Sequence, residues 1–241
     1  MLQQVLFEDL GLRPYKEIWD YQELLLKMNT DKKALSRKWY PVIPNPLVEP
    51  TIHHLLFVEH EPVYTLGKSG KESHVLISES VRAEKKIDYF HINRGGDITF
   101  HGPQQIVGYP ILDLEKFKTD LGWYLRSLEE VIILTMAEYG LKGERSPGET
   151  GVWLDTEIKG HERKICALGI KCSRWITMHG FAFNVNTDLD YFDFIIPCGI
   201  QHKKVTSMKK EMGKELPMEE VKDKVKNNFE KVFNCRLIDP K

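Results

Sequence analysis

The chain has 241 residues, of which 29% are charged, and its formal net charge at pH 7 is −1. This length is enough to bury a substantial core, and it fits one domain over residues 1–241 better than two small ones. Because a net charge near zero produces no general field that attracts polyanions, neither nucleic acid nor a membrane surface is expected as a partner.

The cysteines and the apolar stretches indicate a soluble protein of a reducing compartment. The four cysteines have neither paired CxxC spacing nor the density of a secreted disulfide framework. Residues 1–10 contain no basic leader with a long apolar region, and no later stretch approaches the ~20 apolar residues of a membrane span. We therefore expect a cytoplasmic protein.

The first half of the chain predicts several strands and one long helix. From Pro14 onward, Ile18, Trp19, Leu24, Leu25 and Met28 recur at roughly helical spacing. The segment Pro41–Pro46 ends this helix, because proline lacks an amide donor and disfavours helix in the residue before it. Strands are predicted at 5–7, 55–58, 90–92, 98–100 and 106–112, with a mobile turn at 67–71.

The second half predicts two helices and three strands. The helices cover 121–139 and 218–233, and the second of them is rich in lysine and glutamate, as surface helices are. The strands cover 151–154, 164–171 and 175–185. Strands and helices do not alternate regularly, so the pattern favours an α+β protein over a doubly wound one.

A glycine-rich stretch, Arg94–Gln105, is the first candidate for a functional site. Paired glycines after a strand allow positive φ and close approach of a ligand, and Arg94 and His101 add hydrogen-bond donors. The alternative is a tight hairpin in which Gly95 and Gly96 only turn the chain. The spacing of a phosphate-binding P-loop is absent.

A lysine begins the apolar segment Lys164–Lys171. The usual interpretation is an edge residue whose ammonium reaches solvent, and the alternative is a partly desolvated ammonium that faces a pocket. Ala167 and Gly169 share one face of this strand and would leave room for a ligand beside it.

The third candidate stretch runs from Trp175 to Ile200. Cys198 stands between a proline and a glycine after an apolar run, a context that presents a thiol on a turn, although a free cysteine is more often an inert buried side chain. Histidines 53, 54 and 179 lack metal-site spacing, so solvated or hydrogen-bonded structural roles are favoured and no metal is expected.

These stretches together resemble the signature of the lipoyl(octanoyl) transferase family. The matching patterns are RGGxxTxHGPxQ, KIxAxGI, HGxAxNVN and PCGI, in family order from Arg94 to Ile200. The resemblance implies a single catalytic acyltransferase domain over 1–241 with the biotin/lipoate protein ligase-like fold. In that fold a mixed β-sheet core, flanked by helices, surrounds an acyl-binding tunnel.

The resemblance also implies roles for individual residues. The acyl-thioester cysteine of the family falls on Cys198, and the lysine that tunes it falls on Lys164. The implied substrate-binding residues are Arg94, Gly95, Gly96, Asp97, Ile98, Thr99, Phe100, His101, Ala167, Leu168, Gly169, Gly180, Phe181 and Ala182. One departure is visible: Gln104 stands where the family usually has glycine, so a positive φ there would strain the loop.

The implied reaction moves an octanoyl group from octanoyl-acyl-carrier protein to a protein lysine. The implied acceptors are apo lipoyl domains of 2-oxoacid dehydrogenase complexes and the glycine-cleavage H protein, and no cofactor is required. A thiolate on Cys198 can accept and release the acyl group if its pKa falls below the usual ~8.5. An ammonium on Lys164 would favour that thiolate, and loop amides or His101 could hold the oxyanion.

Three other functions remain open from the sequence. An ATP-dependent lipoate or biotin ligase shares the implied fold but needs no nucleophilic cysteine. A non-catalytic module that binds lipoyl domains would not need Cys198 and Lys164, and a cysteine hydrolase would release the acyl group to water. The lysine-rich segment 203–214 is by default a solvated surface, and otherwise a docking patch for an acidic carrier protein.

Overall fold

The computed structural model describes residues 2–39, 49–196 and 204–240. The strands are β1 (Gln3–Arg13), β2 (His53–His60), β3 (Val63–Leu66), β4 (Asp88–His91), β5 (Ile98–His101), β6 (Gln105–Ile111), β7 (Val152–Leu154), β8 (Arg163–Ser173), β9 (Ile176–Asn184), β10 (Lys204–Val205) and β11 (Cys235–Ile238). The helices are α1 (Tyr15–Trp39), α2 (Glu79–Glu84), α3 (Leu121–Ala137), α4 (Met208–Met212) and α5 (Met218–Phe233).

Two sheets organise the described residues. The larger has the order β10-β8-β9-β6-β2-β1-β11, with β7 paired to β8, and the smaller has the order β4-β3-β5. In the larger sheet β1 runs parallel to β2 and to β11, whereas β2, β6, β9 and β8 pair antiparallel in succession. The sheet is therefore mixed and flanked by helices, which confirms the predicted α+β class.

The larger sheet separates two apolar layers. On one face, Leu128 and Ile132 of α3 pack with Val225 and Phe229 of α5 in the largest core cluster. On the other face, α1 places Ile18 and Leu25 in a second cluster, with strand residues such as Val58. Because β2 lies between strands on both sides and between helices on both faces, nearly all of its side chains are buried.

The long elements and the short strands β4, β5 and β7 agree with the sequence predictions, whereas β3, β10, β11, α2 and α4 were missed. The first helix covers α1 as predicted, although Leu24 and Met28 lie on its exposed face; the predicted loop at Pro41–Pro46 lies outside the described residues. β1 continues well beyond the predicted 5–7 because it has a partner on each side. β3 and β11, which had no distinct sequence signal, form by pairing with β5 and β1. None of the described helices combines the length and the hydropathy needed to cross a membrane.

Candidate active site

A cavity of about 420 Å³ opens beside β8 and β9 and is covered by the loop that joins β4 to β5. Lys164 and every predicted substrate-binding residue except Phe100 line this cavity. Phe100 instead packs behind the loop, with its ring stacked 4.6 Å from that of Tyr191. The structure therefore brings together three stretches that are far apart in the sequence.

Small residues in β8 and β9 form one wall of the cavity. Ala167 pairs with Ala182, and Gly169 pairs with Gly180. A Cβ atom at Gly180 would lie 2.2 Å from the carbonyl oxygen of Gly108, so only glycine fits against the neighbouring strand.

The glycine-rich loop packs closely against Gly169, which also lines the cavity. A Cβ atom at Gly169 would lie 2.9 Å from both the Cδ atom of Arg94 and the carbonyl oxygen of Gly95. The Gly95 amide donates to the Ile170 carbonyl at 2.9 Å, which fastens the loop to β8. The hairpin alternative is wrong, because β4 and β5 both pair with β3 and not with each other.

Arg94 is buried and supports the loop from beneath. Its guanidinium donates to the carbonyl oxygen of Thr65 at 2.6 Å, to the Thr65 hydroxyl at 3.0 Å and to the Gly95 carbonyl at 3.0 Å. Residues 67–71 form the predicted turn, but it is anchored: Lys68 and Ser69 donate amide hydrogens to the carbonyls of Arg94 and Gly96. Arg94 therefore links β3, the turn and the cavity wall.

Lys164 lies inside the sheet and not at its edge. Its backbone is flanked by β7 and β10, and its Nζ atom lies 4.5 Å from the ring centroid of Trp153. This places the ammonium over a buried indole, where the face of the ring attracts a cation. Of the two sequence interpretations, the pocket-facing ammonium is the one that the structure supports.

Cys198 lies outside the described residues, and the described segments on either side of it adjoin the cavity. The Ile196 amide donates to the His74 carbonyl at 2.8 Å, and the His74 ring lies 2.6 Å from a carboxylate oxygen of Asp97, a residue of the cavity wall. On the other side, Val205 pairs with Lys164. The described chain therefore stops at Ile196, which is hydrogen-bonded to His74, and resumes at Lys204, beside the strand that bears Lys164.

Burial disfavours the thiolate form of the other three cysteines. Burial raises the pKa of the Cys166 thiol well above its usual range and that of Cys235 to about 12. Burial also raises the pKa of the half-buried Cys172. Because the thiolate is the reactive form, these shifts favour inert structural roles.

Among the described buried histidines, His53, His60 and His101 are hydrogen-bonded, whereas His54 has an unpartnered Nδ1 atom and His179 has no hydrogen-bonded ring nitrogen. The ring nitrogens of His101 lie 3.0 Å from the Gln105 side-chain oxygen and 3.4 Å from the Thr65 hydroxyl. His179 is only 1% exposed and lines the cavity, yet neither of its ring nitrogens has a partner among the described residues. Burial, assisted by the charge of Arg94, lowers the pKa of His179 to about 3, so the ring is neutral at pH 7.

Sequence reasoning missed several residues of the cavity wall. They are Tyr15, Ser69, Tyr109, Leu125, Glu149, Thr150, Ile170 and His179. Ile170 and His179 belong to motifs that were recognised, so their positions within those motifs could have identified them. Tyr15 and Leu125 come from α1 and α3, and no local pattern distinguishes them from ordinary core residues.

Comparison with known proteins places the whole chain in one family. Residues 14–230 match the lipoyl protein ligase A/B catalytic domain family. The chain is 55% identical to an octanoyltransferase of Christiangramia forsetii, covering 98% of this chain and 99% of the relative, and 53% identical to one of Flavobacterium psychrophilum, covering 99% and 100%.

Solved structures of low sequence identity share the fold. A bipartite lipoate protein ligase of Thermoplasma acidophilum superposes with a TM-score of 0.69 at 14% identity, covering 99% of this chain and 87% of that one. A lipoate-protein ligase A bound with ATP gives 0.68 at 12% identity, covering 100% and 89%. The predicted biotin/lipoate ligase-like fold is thus confirmed, and the near full-length matches show that the chain is an acyltransferase that belongs to the octanoyltransferase family.

Proposed function

We propose that this chain, acting over residues 1–241 as one catalytic domain, transfers an octanoyl group from octanoyl-acyl-carrier protein to the acceptor lysine of a lipoyl domain through a thioester on Cys198. The observation that best supports the proposal is the cavity that unites the glycine-rich loop, β8 and β9 beside Lys164. The full-length relatives are octanoyltransferases, and this supports octanoyl as the acyl group that is transferred.

The cavity has the size and lining that an acyl chain requires. Its volume of about 420 Å³ lies in the range of small-molecule sites, roughly 300–1,000 Å³. Ile98, Leu168, Phe181 and Ala182 supply apolar surface along it. Burial of each methylene contributes about 0.8 kcal/mol, so an octanoyl tail is held firmly without any polar contact.

The first half-reaction transfers the acyl group from one sulfur to another. The Cys198 thiolate attacks the thioester carbonyl carbon, and the carbonyl π electrons move to oxygen. When the tetrahedral intermediate collapses, the bond to the carrier sulfur breaks, and the carrier leaves as a thiolate that takes up a proton. The products are an octanoyl thioester on Cys198 and the free carrier thiol.

The second half-reaction forms the amide. The neutral amine of the acceptor lysine attacks the Cys198 thioester, the carbon–sulfur bond breaks, and the proton released from nitrogen must leave the site. Lys164 is the group in the cavity wall that could relay this proton. Its ammonium form also favours the Cys198 thiolate in the resting enzyme.

The oxyanion is held by donors other than His101. Because the Gln105 side-chain oxygen can only accept, the Nδ1 atom of His101 carries the proton and donates it there, and Nε2 accepts from the Thr65 hydroxyl. The Gly95 amide already donates to Ile170, and the Ile98 amide to Asp97. The remaining loop amides and Lys164 are therefore the candidate donors.

The acceptors that we propose are apo lipoyl domains of 2-oxoacid dehydrogenase complexes and the glycine-cleavage H protein. In the described part of segment 203–214, Lys204, Lys209, Lys210 and Lys214 are exposed, close to the strand that bears Lys164. Lys209 is paired with Glu215, itself exposed, at 2.8 Å. Docking of an acidic carrier on this surface remains a prediction.

Intact-protein mass spectrometry tests the two half-reactions separately. Mixed with octanoyl-carrier protein alone, without ATP or metal, the enzyme should gain one octanoyl group and release free carrier. After removal of the carrier, an apo lipoyl domain should discharge the adduct and gain the same mass. Cys198→Ala should form no adduct, whereas Cys172→Ala should behave as the wild type does.

Steady-state kinetics with both protein substrates can contradict the proposed covalent intermediate. Transfer through a covalent intermediate gives parallel double-reciprocal lines when both protein substrates are varied. Converging lines with no adduct would mean direct attack of the lysine on the carrier thioester. An absolute requirement for ATP and free octanoate would make the chain a ligase and leave Cys198 without a chemical role.

A further inference from the structure

The second half-reaction removes two protons from the acceptor lysine. The lysine arrives as an ammonium with three N–H bonds, because its usual pKa is ~10.4 and only about 1 in 2,500 of its amines is neutral at pH 7. The amide that forms keeps one N–H bond. One proton must therefore leave before the nitrogen can attack the thioester, and the other leaves as the tetrahedral intermediate collapses.

Lys164 can serve only the second of these protons. The ammonium form that favours the Cys198 thiolate has no lone pair, so it cannot accept a proton from another ammonium. It can donate its proton to the departing sulfur of Cys198 and then accept the proton of the new amide nitrogen, which returns it to the ammonium form. The proton that the incoming ammonium loses first needs a different acceptor in the cavity wall.

Most of the titratable groups in the described cavity wall are unsuited to that task. His101 and His179 are weak bases, because burial lowers the pKa of both, to about 3 for His179, whose ring nitrogens are also inaccessible. Burial raises the pKa of Tyr15 and Tyr109, so both keep their protons at neutral pH. Arg94 is a permanent cation. Carboxylates are the remaining candidates.

The wall contains two carboxylates, and their contacts differ. Asp97 fixes the glycine-rich loop: one oxygen accepts the Ile98 amide hydrogen at 2.7 Å, and the other lies 2.6 Å from the His74 ring. Glu149 belongs to a turn in which its amide donates to the Ser146 carbonyl at 3.1 Å and its carboxylate accepts from the Ser146 hydroxyl at 2.5 Å. Ser146 is buried and Glu149 is half-buried, so the turn orients this carboxylate at the cavity.

Glu149 lies on the Lys164 side of the cavity. A Cβ atom at Gly151 would lie 3.3 Å from the Cε atom of Lys164, and Thr150 lines the cavity too. Because consecutive Cα atoms are 3.8 Å apart, the Cα atom of Glu149 lies within about 7.6 Å of that of Gly151. The Gly151 amide is anchored on the buried Glu129 carboxylate at 3.0 Å. The chain therefore holds a carboxylate close to the lysine of the cavity wall.

We propose that Glu149 is a further catalytic residue of the second half-reaction: its carboxylate binds the ammonium of the acceptor lysine and accepts the first proton. The neutral amine then attacks the Cys198 thioester, the carbon–sulfur bond breaks, and the second proton passes through Lys164 to the departing sulfur. The carboxylic acid of Glu149 returns its proton to water after the product leaves. This inference rests on the proposed function.

The pH dependence of acyl discharge tests this role. The isolated octanoyl-enzyme is mixed with an apo lipoyl domain, and loss of the adduct is followed by mass spectrometry. Glu149→Gln can use only the acceptor that is already neutral, so its discharge at pH 7 should be roughly 10²–10⁴-fold slower than that of the wild type. This deficit should shrink about tenfold for each pH unit from 7 to 9, as more of the acceptor amine becomes neutral.

Hydroxylamine separates base catalysis from a structural effect. Its amine is uncharged at neutral pH and needs no base before it attacks, so it should discharge Glu149→Gln at the wild-type rate. Glu149→Asp keeps a carboxylate and should keep the pH profile of the wild type. Glu157→Gln removes an exposed carboxylate outside the cavity wall and should change neither reaction.

Formation of the adduct distinguishes failure of this inference from failure of the proposed function. A wild type that gains no octanoyl group from the carrier would refute the covalent route on which the inference rests. Glu149→Gln should gain the group at the wild-type rate, because the first half-reaction has no ammonium to deprotonate. Equal pH dependence of discharge in the wild type and Glu149→Gln, or equal slowing with the lipoyl domain and with hydroxylamine, would overturn the role of Glu149.

Discussion

Gln104, which stands where the family pattern usually has glycine, has a left-handed backbone conformation. Its φ is 62°, and hydrogen bonds hold it on both sides: its amide donates to the Glu59 carboxylate at 2.7 Å, and its carbonyl accepts from the Asn186 amide at 3.0 Å. Its side-chain oxygen also accepts from the Asn186 side chain at 2.9 Å. These hydrogen bonds therefore hold the glutamine in a strained backbone conformation.

We expect Gln104→Gly to change the free energy of unfolding by less than about 1 kcal/mol. Relief of the left-handed strain contributes about 1–2 kcal/mol. The lost side-chain hydrogen bond and the larger entropy of the unfolded chain together oppose it by a similar amount. Urea denaturation measures the difference.

The matched variant Gln104→Val should destabilise the protein by about 1–3 kcal/mol, because a β-branched residue is poorly accommodated at positive φ. Equal stability of the two variants would show that the left-handed conformation is not needed there. A large loss in Gln104→Gly would assign the main role to the Asn186 contact.

Helix α3 supports the active site through one buried carboxylate. Glu129 is fully buried and accepts the Gly151 amide hydrogen at 3.0 Å. Gly151 adjoins the segment that lines the cavity, and a Cβ atom there would lie 3.3 Å from the Cε atom of Lys164. Arg126 and Arg145 donate to the same carboxylate at 2.6 and 3.1 Å. Helix α3 thus positions the chain next to Lys164.

Glu129→Gln should destabilise the protein by about 1.5–3 kcal/mol, the usual magnitude for hydrogen bonds to a charged group. This expected loss of stability is smaller than the loss for breaking a fully buried ion pair, because both arginines are partly exposed and can be solvated. Glu130→Gln is the matched control: Glu130 pairs with the same Arg145 on the surface at 2.5 Å, and its loss should remove less than about 1 kcal/mol. Equal losses by urea denaturation would contradict the anchoring role.

Buried histidines make the stability of the whole molecule dependent on pH. Burial lowers the pKa of His53 and of His60 from 6.5 to about 4, and that of His179 to about 3. Below pH 6.5 the unfolded chain therefore binds protons that the folded protein does not. Each such group lowers the free energy of unfolding by about 1.4 kcal/mol per pH unit as the pH falls from 6.5 toward 4.

Urea denaturation at pH 7.5, 6.5 and 5.5 and constant ionic strength tests this dependence. Because of these histidines, the free energy of unfolding should change little between pH 7.5 and 6.5 and fall steeply below pH 6.5. Paired carboxylates act later: hydrogen bonds from Lys142 and Thr156 lower the pKa of Glu144 to about 2, so its stabilisation is lost only in stronger acid. Constant stability from pH 6.5 to 5.5 would mean that the buried histidines are protonated without cost.

Much of this protein follows from local patterns in its amino acids. Helices α1, α3 and α5 were predicted because an apolar face repeats every three to four residues and prolines or caps mark the ends. The class of the fold followed from the irregular succession of strands and helices. The motif segments also indicated the family, since a glycine-rich loop, a lysine and a cysteine in this order resemble one family.

The features that the sequence did not predict depend on contacts between segments that are distant along the chain. β3 and β11 were not predicted from the sequence, and they form because β5 and β1 supply partners. The space beside Gly169 is occupied by Arg94 only because two distant segments cross there. Whether the nitrogens of His179 find a partner likewise depends on which side chains the folded sheet brings near them, and neighbours in sequence carry no information about that.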